Sequence, residues 1–195
     1  MIIAILNTKG GVGKTSLSLL LAEDLRRRFG TVEVWDADLQ GSASDWAAGA
    51  AEADDPLRFG VVPVNLASLR HKPAETDFTV IDTPPGNPSV IDAAAVRADF
   101  VIIPTDTSAM DLKRAAATLG ALTTPAALLF YATNRRTQLF EAAMEWVRES
   151  DVSSFDTVVP PREDVKKLVD TGITWDDLFG IPSVTDELLE AAGER

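Results

Sequence analysis

Three glycines and two lysines between residues 9 and 14 restrict the fold of this chain more than any other feature. The apolar run Ile2–Leu6 before them is typical of a buried strand, and a helical pattern begins directly after Gly13. Glycine adopts backbone angles closed to other residues and lets the main chain approach a ligand. A strand, a glycine-rich loop and a helix in this order predict a concave run of backbone N–H groups that suits an anion, at the positive end of the helix dipole.

The side chains at the end of this loop suit a nucleotide phosphate. Lys14 is expected to reach the β- and γ-phosphates, and the Thr15 hydroxyl is expected to bind Mg²⁺. The usual phosphate-loop pattern has glycine where this chain has Thr8, and Lys9 follows it. Two lysines therefore flank the glycines. Contacts to the nucleotide are expected from Gly10, Gly11, Val12, Gly13, Lys14, Thr15 and Ser16.

The run from Lys9 to Thr15, Lys-Gly-Gly-Val-Gly-Lys-Thr, resembles the deviant phosphate loop of the ParA/MinD family of ATPases, and most of all that of the small, ParF-like partition ATPases. The resemblance implies a Mg²⁺-dependent enzyme that binds ATP, hydrolyses it to ADP and forms a homodimer with ATP. It further implies that Lys9 reaches across the dimer interface to the nucleotide held by the other subunit. Lys9 is therefore a predicted catalytic residue beside Lys14.

A second predicted site residue ends an apolar strand. Asp82 closes the run Phe78–Asp82, as a Walker B aspartate does, and is predicted to hold Mg²⁺ through a bound water. The segment Thr83-Pro84-Pro85-Gly86 that follows resembles the segment that senses the γ-phosphate in ParA-like ATPases.

Two further carboxylates follow another apolar run. The segment from Trp35 to Gly41 resembles the family's D-x-D-P-Q-G segment, with Leu39 in place of the usual proline. The resemblance implies that Asp38 orients or activates the attacking water and that Asp36 supports Thr15 and the Mg²⁺ shell. For Asp36, a helix or turn cap is the alternative.

The adenine contacts are predicted on weaker grounds. The amide of Asn134 can both donate to and accept from a purine edge, and in the family an asparagine near this point reads adenine. The resemblance places Pro160 and Arg162 on the other side of the base. A turn is the alternative for Asn134. The segment from Pro104 to Leu112 resembles a family segment near the dimer and partner surface, and a helix cap by Ser108 or Asp111 is the equal alternative.

Strand and helix patterns alternate along the chain without an evident linker, which predicts one domain over residues 1–195. The near-continuous apolar strands predict a mostly parallel, twisted sheet with helices on both faces, which makes the chain an α/β protein. Pro63 places the weak strand Phe59–Val64 at a sheet edge. A last strand is predicted over Ser154–Val159, His71 in a polar surface loop, and C-terminal helices over 162–170, 175–179 and 183–192.

Composition removes several classes of protein. Cysteine is absent, which excludes a thiolate-held iron–sulfur cluster and fits a cytoplasmic location. No apolar run approaches the roughly 20 residues of a membrane span, and no secretory signal is recognised at the N-terminus. The formal net charge of −12 repels nucleic acid at long range. Non-specific DNA binding would need a local patch, and scattered solvated charges are the alternative. The candidate patch residues are Lys113, Arg114, Arg135, Arg136, Arg148, Arg162, Lys166 and Lys167.

The leading hypothesis is a small ParA-type ATPase in plasmid or chromosome partition or cargo positioning. The resemblance implies a ParB-like, centromere-binding or cargo-adaptor partner and nucleoid association in the ATP-bound state. A MinD-like membrane-associated ATPase is the alternative, but it needs a basic amphipathic C-terminal helix, and residues 186–195 are acidic. A third hypothesis is a binding module that nucleotide switches without being hydrolysed. The presence of Asp38 argues against this hypothesis.

Overall fold

A computed structural model of the protein describes residues 1–161, 165, 169–174 and 178–193. Strands and helices alternate along it, as the sequence predicts. In chain order the elements are β1 Ile2–Ile5, α1 Lys14–Arg28, β2 Val32–Asp36, α2 Ser42–Glu52, β3 Gly60–Pro63, α3 Leu66–His71, β4 Phe78–Asp82, α4 Pro88–Arg97, β5 Phe100–Thr105, α5 Ala109–Gly120, β6 Ala126–Phe130, α6 Gln138–Glu149 and α7 Ile181–Ala191.

Six strands of the described chain form one sheet in the order β3-β2-β4-β1-β5-β6. Every neighbouring pair is parallel. Because parallel strands need crossover connections, helices lie between them in sequence, and the predicted α/β class is confirmed. The strand that contains Pro63 lies at the sheet edge, where a residue without a backbone N–H is tolerated, as predicted.

The alternation of side chains along the strands explains why helices cover both faces. Ile3 and Ile5 pack in one buried cluster with residues of α1, α2 and α7. Ala4 and Leu6 point the other way and pack with residues of α3, α4 and α5. Strands that are buried on both faces cannot show a polar side, which accounts for their continuous apolar sequences.

The sheet register brings the two strand-ending aspartates together. Asp36 of β2 is the register partner of Asp82 of β4, and Asp82 is in turn the partner of Ile5 in β1. The loop that follows β1 therefore begins next to both carboxylates, at the carboxyl edge where parallel α/β sheets bind ligands.

The predicted strand Ser154–Val159 is wrong. Only Ser154 forms a bridge, with Leu128 of β6. Further along, the backbone N–H groups of Asp156 and Thr157 donate to the Glu187 carboxylate of α7, at 2.7 and 2.9 Å, and not to β6. The N–H groups of Phe155 and Val159 do donate to the backbone oxygens of Leu128 and Phe130 in β6, both at 2.9 Å. The segment is therefore attached to the sheet at separate points and does not form a continuous strand.

Two smaller differences concern local structure. His71 is exposed, as predicted, but it is the last residue of α3 and does not lie in a loop. Asn65 and Ser68 form a capping box that starts this short helix. The helices predicted over 162–170 and 175–179 include residues outside the described part of the chain, so both stay predictions.

No helix in the described ranges combines the length and the hydropathy that a bilayer crossing requires.

Candidate active site

The glycine-rich loop joins β1 to α1 at the centre of the sheet. Gly13 is the N-cap of α1 and has left-handed backbone angles, with φ of 85° and ψ of 24°. No side chain caps α1, so its first-turn N–H groups are left to a ligand. A Cβ on Gly13 would lie 2.4 Å from the Tyr131 ring, so glycine is required here for space as well as for its backbone angles.

A cavity of about 540 Å³ opens over this loop. Its walls come from the loop itself and from the segments that follow β2 and β4, with contributions from α2. The lining residues are Gly10, Gly11, Gly13, Lys14, Thr15, Ser16, Asp38, Gln40, Ser42, Trp46, Thr83, Pro85 and Val169. The sequence predicts one site for the phosphate-contacting residues and Asp38. In the structure Asp38 and most of those residues line one cavity.

Lys14 is buried against the loop and projects into this cavity. Its Nζ donates to the backbone oxygen of Lys9 at 3.2 Å, and only 6% of the residue is exposed. Burial lowers the pKa of Lys14, and the charges of Asp82 and Asp38 oppose that shift. The ammonium is thus held beside two carboxylates and has capacity left for an anionic ligand.

Thr15 and Asp82 are in direct contact. The Thr15 hydroxyl donates to Asp82 Oδ2 at 2.7 Å, and the Ser18 hydroxyl donates to Oδ1 at 3.3 Å. Burial raises the pKa of Asp82 to about 7, and the hydrogen bonds from Thr15 and Ser18 only partly oppose this.

The oxygen atoms at this point suit Mg²⁺. Thr15 keeps lone pairs after donating its proton, and the Asp82 carboxylate can accept hydrogen bonds from metal-bound waters. No cluster of three or more acidic, histidine or cysteine side chains arranged to hold a metal occurs among the described residues. Mg²⁺ is usually held by few protein oxygens together with substrate phosphates and waters.

Asp36 is hydrogen-bonded to α2 and to its own loop, and not to Thr15. Its Oδ2 accepts from the backbone N–H and the hydroxyl of Ser44, at 2.9 and 2.6 Å, and its Oδ1 accepts from Asp38 N–H at 3.2 Å. These contacts fit the capping alternative, and no hydrogen bond joins Asp36 to Thr15. The support of the Mg²⁺ shell by Asp36 stays a prediction. Ser44 lies in the first turn of α2, where free backbone N–H groups attract a carboxylate. The Thr15 hydroxyl already donates to Asp82 and is the weaker partner for Asp36.

Asp38 takes a different position two residues later. It is half-buried on the cavity wall, and its Oδ1 accepts from Gln40 N–H at 2.9 Å. No described residue donates to its Oδ2. The carboxylate is thus fixed on one side and open to a water on the other.

Lys9 lies outside the phosphate cavity. It lines a smaller neighbouring cavity of about 140 Å³ together with Gly11, Asp106 and Tyr131. Its ammonium is paired with Asp111 in the first turn of α5. Ser108 is the N-cap of α5 and accepts from Asp111 N–H at 3.2 Å, so the capping alternative is correct for Ser108.

The predicted adenine residues separate in the structure. Pro160 lines an apolar slot of about 150 Å³ next to Ser16, with Leu20, Tyr131, Ala132, Val159, Val165 and Phe179. Asn134 is not among the residues that line the slot. Its side-chain oxygen accepts from Arg136 N–H at 3.0 Å, which is the turn alternative. Arg162 lies outside the described residues.

Tyr131 is one of the site residues that sequence reasoning missed. Its ring covers Gly13, and burial raises its pKa to about 12. The signal was its place directly after β6, at the same sheet edge as the loop.

Five of the basic residues suggested for DNA lie in the part of the chain that the structure describes. Lys113, Arg114, Arg135, Arg136 and Arg148 are exposed. Arg135 donates to the backbone oxygen of Asp156 at 3.0 Å and Arg148 to that of Met144 at 3.2 Å, so two of them are engaged locally. Arg162, Lys166 and Lys167 lie outside the described residues.

Comparison with known proteins extends these observations. The family model of the CobQ/CobB/MinD/ParA nucleotide-binding domain matches residues 3–175. Maintenance of carboxysome distribution protein A from Gloeobacter kilaueensis is 42% identical over 113 residues, which are 57% of this chain and 51% of that protein. The match thus spans about half the length of that relative. The protein of the same name from Halothiobacillus neapolitanus is 29% identical over 184 residues, 88% of this chain and 85% of that protein.

Among solved structures, a plasmid partition protein from Borrelia burgdorferi bound to AMPPNP superposes with a TM-score of 0.73. The superposition covers 99% of this chain and 98% of that one, at 18% sequence identity. At this identity the likeness concerns the fold.

Proposed function

The chain belongs to the family of CobQ/CobB/MinD/ParA nucleotide-binding domains, and from that premise we propose that it is a ParA-type positioning ATPase. It binds ATP with Mg²⁺, dimerises in that state, and returns to the monomer on hydrolysis to ADP. The observation that carries the proposal is the grouping of Lys14, Thr15 and Asp38 around one cavity at the carboxyl edge of the sheet, with the buried Asp82 bonded to Thr15.

Binding of the triphosphate is the task of the loop and Lys14. The first-turn N–H groups of α1 and the concave loop backbone donate to phosphate oxygens, and the α1 dipole adds to the attraction. The Lys14 ammonium adds a charge that burial keeps out of bulk water, where its attraction to phosphate is stronger than at the surface.

Mg²⁺ neutralises charge on the β- and γ-phosphates when it is bound. Thr15 supplies an oxygen ligand, and the Thr15–Asp82 hydrogen bond orients that oxygen. Asp82 carries its charge more readily once a cation lies nearby, so the carboxylate and the metal site stabilise each other.

Hydrolysis needs a water aligned with the γ-phosphate. Asp38 is the carboxylate on the cavity wall with an oxygen open to the cavity, and Gln40 N–H fixes its orientation. A water held at that oxygen is positioned and polarised for attack. We therefore assign water activation to Asp38 and a structural role to Asp36.

Two exposed apolar side chains support a homodimer that forms over the phosphate loop. Leu39 is 89% exposed and lies between two residues of the cavity wall, Asp38 and Gln40. Met110 is 70% exposed and precedes Asp111, the partner of Lys9. Large exposed apolar side chains at the rim of a polar site are suited to a partner surface. A second copy of this chain covers both rims in the proposed dimer.

The oligomeric state tests the proposal directly. We expect the Asp38→Ala variant to form a dimer with ATP and Mg²⁺, because binding is retained and hydrolysis is blocked, and light scattering after size exclusion measures the mass. Lys14→Ala is the matched control and should stay monomeric. A monomeric Asp38→Ala protein that also fails to retain nucleotide would overturn the proposed function.

The cargo is proposed from the relatives. Both curated relatives are named for carboxysome distribution, so we propose cargo positioning over the nucleoid with an adaptor protein bound to the cargo. Deletion of the gene in its host should cluster labelled carboxysome-like particles while plasmids are inherited normally. Loss of a plasmid with normal particle spacing would instead support partition, the function named for the Borrelia protein.

DNA binding in the ATP state follows from positioning over the nucleoid. It rests on phosphate contacts without base reading and therefore weakens with salt. A gel shift with the Asp38→Ala dimer should show ATP-dependent retention that is lost as salt rises, and equal retention without nucleotide would contradict it. ATP-dependent flotation with liposomes would favour the MinD-like alternative.

A further inference from the structure

We propose that Asp111 is a positioning residue that holds Lys9 within its own subunit and releases it only when nucleotide brings two subunits together. This inference rests on the proposed function, because it concerns the lysine that reaches the neighbouring nucleotide in the dimer.

The contact itself is short and partly shielded from water. Lys9 Nζ lies 2.7 Å from Asp111 Oδ2, with 36% and 12% of the respective side chains exposed. The Ser108 hydroxyl donates to the same Oδ2 at 2.6 Å. Asp111 is therefore held by the cap of its own helix and is already in place for the lysine, which reduces the entropy lost in forming the ion pair.

The backbone of Lys9 is fixed separately from its side chain. Lys9 N–H donates to Asn7 Oδ1 at 2.8 Å, and Asn7 Nδ2 donates to the Pro104 oxygen at 2.7 Å. Asn7 is buried. Lys9 can thus exchange one partner for another by side-chain rotation, without a rearrangement of the phosphate loop.

The electrostatics favour this pairing at neutral pH. Lys9 is the main group that lowers the pKa of Asp111, with further help from Ser108 and Arg114. After Lys9 leaves, Ser108 still donates to Asp111 and Arg114 still attracts its charge. The carboxylate is therefore not stranded, and the release of Lys9 is reversible.

One ammonium cannot serve both partners. A Lys9 that contacts phosphate across the dimer interface must first leave Asp111, so the intrasubunit pair competes with dimerisation. Each dimer breaks two such pairs, one in each subunit. The pair thus raises the nucleotide concentration at which half of the protein is dimeric, and it leaves nucleotide binding by the monomer unchanged.

The test compares Asp111→Asn with Asp106→Asn, a matched control. Asp106 is exposed and lines the same small cavity as Lys9, but its carboxylate accepts from Thr107 N–H and not from Lys9. With a non-hydrolysable ATP analogue and Mg²⁺, D111N should dimerise at about three- to tenfold lower nucleotide concentration than wild type, as expected for loss of a partly exposed ion pair. D106N should match wild type, and Asp111→Glu should move back toward it.

A second readout follows Lys9 in the nucleotide-free monomer. Trace acetylation read by mass spectrometry should modify Lys9 about three- to tenfold faster in D111N than in wild type, relative to the exposed Lys113 as internal reference. A role of Asp111 confined to helix capping would leave this rate unchanged. If D111N loses stability, Asp111→Ser, which keeps a small hydrogen-bonding side chain, takes its place in both measurements.

The outcomes separate the two proposals. Dimerisation of D111N at an unchanged or higher nucleotide concentration, or an unchanged acetylation rate of Lys9, overturns the positioning role alone. A wild-type protein that stays monomeric at saturating nucleotide contradicts the proposed function itself.

Discussion

The Thr15 hydroxyl donates a 2.7 Å hydrogen bond to Oδ2 of Asp82, and this contact joins the first turn of α1 to the last residue of β4. Asp82 is fully buried, and Ser18 supplies its other hydrogen bond. Two hydroxyl donors do not fully solvate a buried carboxylate, which is why its pKa is raised to about 7. Without a metal ion, Asp82 therefore tends to hold a proton. The proposed function needs the same carboxylate ionised beside Mg²⁺.

The pH dependence of stability follows from this shift. The pKa of Asp82 is about 7 in the folded protein and about 3.9 in the unfolded chain, so between these values the folded state binds the additional proton. Its contribution to the free energy of unfolding is fully present below about pH 4 and is lost as pH rises through about 7, a change of roughly 4 kcal/mol.

Urea unfolding without nucleotide or Mg²⁺, repeated between pH 4 and 8, measures this change. Asp82→Asn has no titrating group at this site. The free energy of unfolding of the wild type, measured relative to this variant, should therefore fall as pH rises. A difference that is constant across this range would contradict the raised pKa.

Substitution of Asp36 should mainly lower stability, whereas substitution of Asp38 should mainly lower ATP hydrolysis. Asp36→Ala removes the acceptor of three bonds, two from Ser44 and one from Asp38 N–H, and should lower the free energy of unfolding by about 1–3 kcal/mol. Asp38→Ala loses one bond, from Gln40, and should cost under about 1 kcal/mol while hydrolysis falls at least about 100-fold. Chemical denaturation and phosphate release measure the two effects. A stable Asp36→Ala protein without activity would reverse the assignment.

Gly13 should tolerate no side chain. Gly13→Ala places a Cβ 2.4 Å from the Tyr131 ring at a φ of 85°, and both effects act together, so we expect a loss of at least about 2 kcal/mol in the free energy of unfolding. Gly120→Ala is the control, because nothing lies within 4 Å of its Cβ position at the end of α5. It should be neutral or stabilising by up to about 1 kcal/mol. Equal stabilities for the two variants would contradict this explanation.

Glu187 should hold the segment that fails to become a strand. Its carboxylate accepts from the N–H groups of Asp156 and Thr157 and from the Thr157 hydroxyl. Glu187→Ala should therefore cost about 2 kcal/mol and speed amide exchange across residues 153–159. Glu190→Ala, an exposed position on the same helix, should stay within about 0.5 kcal/mol of wild type. Unchanged exchange in the Glu187 variant would show that the segment is held by other contacts.

Much of the fold was accessible without coordinates. The strand Phe78–Asp82 was predicted to the residue, and the first helix was predicted to begin at Lys14, where the structure begins it. Such predictions succeed because apolar runs, glycines and caps act on residues that are close in the chain. The phosphate loop belongs to this group, since its strand, turn and helix are contiguous.

The site was predicted in composition and only partly in arrangement. The structure places Asp82 against Thr15 and Asp38 on the cavity wall, close to the phosphate loop as their motifs predict. The resemblance implied that Asp36 supports Thr15 and the Mg²⁺ shell. In the structure the N-terminus of α2 takes this carboxylate through Ser44. This contact depends on where α2 packs, which the spacing of the two aspartates does not encode.

Local sequence was enough to predict most of the elements and a glycine loop with Lys14 and Thr15 that suits an anion, because these features depend on neighbouring residues and on their periodicity. The pairing of groups that are distant in the chain came from the packing of the folded protein. Lys9 finds Asp111 across 102 residues, Tyr131 covers Gly13, and Glu187 takes the donors of Asp156 and Thr157. Each of these contacts is one of several that the local sequence permits, and strand order together with helix packing selects among them.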